Sequence, residues 1–211
     1  MRPTPPRPFS IAAGLTLAIM ATARIAAPDA SAMDLAAADR TSEGVQDELV
    51  DELRAMATSR AALIAIAAQN KRLAGLDQAR IDSLDAQWRA ETESENQPLI
   101  AQLMGSPLSS YLIRKKAESN GLYAEIFVFD ANGMNVGQSS VTSDYWQGDE
   151  PKYLETFAKG PGAVFIDAVE YHQDTRQRRR QVSFTIVDPD SGQPVGGATV
   201  EINVDELERR S

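Results

Sequence analysis

The chain has 211 residues, one histidine and no cysteine, and its 30 acidic against 21 basic side chains give it a formal charge of −9. That balance argues against general nucleic-acid binding, which needs a basic footprint. The missing cysteines exclude a disulfide framework, so stability has to come from an ordinary core in one domain or at most two.

Residues 1–32 read as an export leader. Arg2 and Arg7 form a basic start, and Ile11 to Ala23 is an uncharged run of signal-peptide length, too short for a comfortable membrane span. Two small-x-small cleavage sites follow, Ala21-Thr22-Ala23 and Ala30-Ser31-Ala32. The second is favoured slightly, because Ile25 to Ala27 prolongs the apolar stretch. The alternative is an uncleaved N-terminal anchor. No later segment has the length and hydropathy of a membrane span: the most apolar, Ala61 to Ala68, is flanked by Arg60 and Lys71.

Residues 33–118 are expected to be helical. Val45, Leu49, Leu53 and Met56 make one apolar stripe at steps of four, four and three, with Glu48, Asp51, Glu52 and Arg54 on the solvent side. The stripe broadens through Ala61, Leu63, Ile64 and Ile66. Two readings of it are open: it covers the chain's own sheet, or it pairs with a second copy to give a homodimer. Ile81, Leu84 and Trp88 suggest a second helix with Asp77 as N-cap. Leu99, Ile100, Leu103 and Met104 suggest a third, short one before Gly105 and Pro107.

After Asn120-Gly121 the pattern changes to strands. Leu122 to Phe129 is aromatic and β-branched, and Asp130-Ala-Asn-Gly133 is a hairpin turn into Met134 to Ser140. Residues 142–151 form a polar loop, and a short helix is expected over Pro151 to Ala158. Three further strands are expected at Ala163 to Tyr171, Arg179 to Val187 and Val195 to Val204. The fold class is therefore α+β, with long N-terminal helices packed on a five-stranded antiparallel sheet.

The alternation of these strands divides the sheet into two faces. Val182, Phe184, Ile186, Ala198, Val200 and Ile202 share a greasy face suited to the helices. Gln181, Ser183, Thr185, Thr199, Glu201 and Asn203 share a mixed face, suited to solvent exposure or to a small-molecule pocket.

A resemblance runs from about Leu122 to Leu207. It is carried by Tyr123-Ala-Glu-Ile-Phe-Val-Phe-Asp-Ala-Asn-Gly133, Gly137-Gln-Ser-Ser140 and Thr142-Ser-Asp-Tyr-Trp-Gln-Gly-Asp-Glu150. It closes on Val182-Ser-Phe-Thr-Ile-Val-Asp-Pro and Pro194-Val-Gly-Gly-Ala-Thr-Val-Glu-Ile-Asn-Val-Asp205. This stretch resembles the PDC or Cache sensor domains, extracytoplasmic relatives of PAS domains. The resemblance implies a PAS/Cache-like sheet over residues 119–211 that forms one unit with the helices. It also implies a ligand pocket capped by Tyr145, Trp146 and Asp149 and floored by the polar strand face. The ligand-contact candidates are Tyr145, Trp146, Asp149, Asp167, Ser183, Tyr123 and Arg178. Aromatic walls and a carboxylate suit a small polar molecule of the amino acid, carboxylate or amine class.

Each candidate also has a plainer role. Tyr145 and Trp146 pack a loop on the sheet, Asp149 caps the helix at Pro151, and Asp167 and Ser183 face solvent. The run Arg176-Gln-Arg-Arg-Arg180 is either a solvated hairpin end, an anion-recognising cluster, or a contact for a partner or membrane surface. Asp188-Pro-Asp-Ser-Gly192 is a β-turn rather than a calcium loop. No cofactor motif, metal site or catalytic signature is present, and lone His172 does not make a zinc site. The usual family member belongs to a membrane receptor, whereas here the sequence ends six residues after Asp205. The expectation is a free-standing periplasmic or secreted binding module, not an enzyme, that signals through a separate membrane protein. The alternative is an envelope interaction protein with the same fold and no ligand.

Overall fold

A computed structural model describes residues 48–210. The leader, its cleavage sites and Val45 of the first stripe lie outside the described residues.

The first helix, α1, runs through residues 48–57 and is followed by α2 (Arg60–Arg72), α3 (Gln78–Thr92), α4 (Pro98–Met104) and α5 (Pro107–Glu118). The stripe does not continue as one rod. Thr58 turns its hydroxyl back onto the Arg54 carbonyl, and the Ser59 side chain accepts from the Ala62 amide to start α2 anew. Asp77 caps α3 as expected, accepting from Arg80 N at 2.8 Å. The α4 N-terminus is capped from a distance: the Glu91 carboxylate accepts from Leu99 N at 2.7 Å and Ile100 N at 3.0 Å. Gly105 ends α4, and Ser106-Pro107 then opens α5, a helix that the apolar periodicity did not single out. Among the described residues no helix is long and apolar enough to cross a membrane.

The strands are β1 (Tyr123–Asp130), β2 (Asn135–Gln138), β3 (Val164–Ile166), β4 (Glu170–His172), β5 (Gln177–Val187) and β6 (Pro194–Asn203). All pairings are antiparallel, in the order β2-β1-β6-β5-β3, with β4 beside β3 on the same edge of β5. The expected third strand is thus one row broken at residues 167–169. The β1–β2 turn is tied by Asp130, whose Oδ1 accepts from Asn132 N and Met134 N, and Gly133 supplies the positive φ of 80°. A short α6 (Pro151–Leu154), a single 3₁₀ turn at Phe157–Lys159 and a closing helix α7 (Val204–Arg210) complete the described chain. The last of these was not foreseen.

The helices and the greasy sheet face share one core. Leu53, Ala57, Ala62, Ile66, Leu108 and Leu112 from α1, α2 and α5 pack on Ile126, Val128, Phe184, Ala198 and Val200, all buried. Burying side chains of this size stabilises by about 1.5–3 kcal/mol each. A second cluster joins Ile81 and Trp88 of α3 and Ile100 and Leu103 of α4 to Met134 and Tyr145, so these helices hold down the loop after β2.

Gly196 crosses β1 with no room for a side chain, because an added Cβ would run into the carbonyl oxygen of Phe129. Backbone cannot swing aside as a flexible side chain can. Gly196→Ala is expected to destabilise the fold by about 1–3 kcal/mol, read as a lower urea midpoint at unchanged slope.

Candidate functional site

The polar face of the sheet comes from the odd-numbered residues of β5. Strand alternation sends Arg179, Gln181, Ser183 and Thr185 to the side opposite Val182 and Phe184. The segment from Glu150 through α6 lies over this face, and between them is a cavity of about 200 Å³. Its charged lining is Glu150, Lys152, Asp167, Glu170, His172, Arg179 and Glu201. It lies beside the break between β3 and β4, where Asp167 N still bonds to Gln181 O at 2.9 Å before the edge row parts from β5.

The floor is a satisfied ion network. Glu201 is buried and receives Arg179 Nη1 at 2.8 Å, with His172 Nε2 at 3.4 Å. The rest of the Arg179 fork donates to Gln177 Oε1 and Thr175 Oγ1. Lys152 Nζ sits 2.7 Å from Glu150 Oε2 and over the Phe127 ring. Asp167 accepts the adjacent Ala168 amide, and neither it nor Glu170 enters an ion pair among the described residues. Opposite Glu201 in the β1–β6 register stands half-buried Glu125. Its carboxyl is pushed up to about 7, first by burial and then by the Glu201 charge.

The candidate residues named from the sequence fall in several places. Asp167 lines the cavity. Ser183 is on the same face, fully buried and 3.0 Å from Thr199 Oγ1. Asp149 is exposed beside α6, and the α6 N-terminus carries no side-chain cap. Tyr145 and Trp146 do not line this cavity. Tyr145 stacks on Trp88 at 5.2 Å, and the Asp85 carboxylate holds both their backbone amides. The Trp146 indole donates to Asn132 O at 2.8 Å. Tyr123 is buried on the helix side, 3.4 Å from Glu52, with its hydroxyl pushed up to about 12 by burial and then by Glu52.

Arg178 is exposed and pairs with Asp205 at 2.7 Å and Glu208 at 2.5 Å, fastening α7 to β5. One residue further, Arg179 occupies the parity that faces the cavity. Lys152, Glu170 and His172 also reach the site without having been singled out as ligand contacts. The signal that could have found Arg179 was its shared parity with Gln181 and Ser183.

No protein-family model and no curated protein matches the chain. Among solved structures it is similar to the sensor domain of the Vibrio cholerae histidine kinase DctB, at 15% identity and a TM-score of 0.36, over 77% of this chain and 59% of that one. It is also similar to the ligand-binding domain of the Pseudomonas aeruginosa amino acid chemoreceptor PctC in complex with GABA (14%, 0.34, 69% and 59%). A third is the sensory domain of the Campylobacter jejuni chemoreceptor Tlp3 with isoleucine bound (14%, 0.38, 79% and 64%). All three are sensor or ligand-binding domains of histidine kinases or chemoreceptors. The chain spans less than two thirds of the length of each of these three solved domains.

The raised Glu125 carboxyl has a pH consequence. The folded protein holds a proton between about pH 4.5 and 7 that the unfolded chain has released. On this account stability is fullest below pH 4.5 and falls as pH rises through 7. Glu125→Gln is expected to flatten that fall and to stabilise the protein at pH 8 by about 1–2 kcal/mol, allowing for solvent screening of a half-buried group. Urea unfolding of both proteins at pH 5 and pH 8 checks this, and parallel pH profiles would contradict it.

Proposed function

We propose that this chain is an extracytoplasmic sensor module that takes a small amine-bearing ligand into the cavity between β5, β6 and α6, and reports its occupancy to a membrane signalling partner. The observation that carries the reading is the state of the cavity's charges. Arg179 and Lys152 already meet carboxylates, whereas Asp167 and Glu170 at the same cavity make no ion pair among the described residues. An incoming ammonium group finds two acceptors there, while an incoming carboxylate would have to displace Glu201 from Arg179. The volume of about 200 Å³ suits a molecule of a few heavy atoms to amino acid size.

Relay follows from what occupancy would touch. Glu150, Pro151 and Lys152 belong to the cap, and Asp167 and Glu170 flank the break in the edge row. A ligand bridging them ties the cap to the sheet edge. Residues 1–32, with their leader pattern, support placement outside the cytoplasm.

A thermal-shift comparison of putrescine, γ-aminobutyrate and glutarate tests this. Saturating amine near one hundred times Kd stabilises the folded state by about 2.7 kcal/mol, which raises Tm by several degrees in a domain of this size. The joint substitution Asp167→Asn and Glu170→Gln is expected to abolish that rise with the far-UV circular dichroism unchanged. A rise with glutarate alone, or an amine response that survives the double substitution, would exclude the reading.

A further inference from the structure

A second cleft lies on the other side of the sheet, where α2, α4 and β2 meet. It has a volume of about 190 Å³, with Leu99, Leu103 and Val136 among its apolar lining and Arg72, Gln102 and Tyr145 among its polar lining. Tyr145 is 5% exposed, and its ring is fixed flat against Trp88 with 12° between the planes. Among the described residues nothing hydrogen-bonds its hydroxyl, although Asp85 holds its backbone amide. Tyr145 lines the cleft, and its hydroxyl is not sealed away in the core, so an acceptor entering the cleft can reach it.

The cation beside it is equally uncommitted. Arg72 uses one Nη2–H on Gln69 Oε1 at 2.9 Å and makes no ion pair among the described residues. Tyr145 and Arg72 line the same cleft. Burial first, and then the Asp130 charge, push that phenol up to about 12 against the smaller effect of Arg72, so it stays protonated and can donate at neutral pH.

We propose that this cleft is a second binding site, for a small monocarboxylate with a short aliphatic tail. The carboxylate sits between the Arg72 guanidinium and the Tyr145 hydroxyl, and the tail lies on Leu99, Leu103 and Val136. A planar two-oxygen acceptor suits a guanidinium fork and one O–H donor, and the apolar wall removes a tail of three or four carbons from water. The site is wired to the hairpin: the Gln69 side chain that meets Arg72 also donates to Asp130 Oδ2, Met134 O and Asn135 O. Its occupant would therefore bear on the β1–β2 turn, with the sheet between it and the amine-binding cavity.

Titration calorimetry of the full chain with butyrate at pH 7 decides the matter, with butan-1-ol as the comparison. Butyrate is expected to bind and butanol is not. Tyr145→Phe, which keeps the ring on Trp88, and Arg72→Gln are each expected to weaken it about tenfold, the loss of one charge-assisted hydrogen bond. The Asp167→Asn, Glu170→Gln protein is expected to bind butyrate as the parent does. The proposal is overturned by absence of butyrate binding, by equal affinity in the parent and both cleft variants, by butanol binding as tightly, or by loss of binding in the Asp167/Glu170 protein.

Discussion

The parity of β5 is the constraint on which the rest of the molecule depends. Its register against β6 is continuous from Arg179–Asn203 to Ile186–Gly196, so each side chain on one strand commits its neighbour to the same face. A slip by one residue would turn Val182, Phe184 and Ile186 away from α1, α2 and α5 and drive Arg179 and Gln181 into the core. Both clefts inherit this choice. The polar one exists because Arg179 and Glu201 meet across the ladder on one side. The other exists because the helices assemble on the opposite side.

Buried carboxylates do work in this fold that caps and turns do elsewhere. Asp85 gathers two loop amides, Glu91 gathers two amides at the start of α4, and Asp130 gathers two in the hairpin. Glu91 and Asp130 offset their burial with backbone donors and no ion pair among the described residues, and Asp85 adds an ion pair with Arg89 at 2.6 Å to its two backbone donors. Burial still pushes the Asp130 carboxyl upward against these bonds. The loop after β2 is consequently held by α3 and is not free to fold over the polar face.

That hold explains where sequence reasoning met its limit. Alternation in β5 and β6, the Asp130–Gly133 turn and the Asp77 cap are local patterns, and they were legible as such. The seat of Tyr145 and Trp146 is decided by Asp85 and Trp88, about sixty residues earlier, and no local pattern signals such a contact. The choice between Arg178 and Arg179 turned on parity, which the Gln181 and Ser183 alternation already carried and which points Arg179, not Arg178, at the polar face. Helix α5 falls within the region expected to be helical but has no separate apolar stripe to set its bounds. The seven-residue α7 was missed because it is short and is held by tertiary contacts such as Arg178 with Asp205 and Glu208.

The broken edge row carries one more consequence. Val164, Ile166, Val169 and Tyr171 are all substantially exposed along the outermost row of the sheet, the composition that invites another chain to add a strand. Because the row parts from β5 at residues 167–169, it presents two runs of three residues rather than one of nine. A visiting strand would find a ladder too short and too bent to extend, with Asp167 and Glu170 charged at the bend. The same interruption that lends the cavity its carboxylates thus protects the protein from polymerising through its own edge.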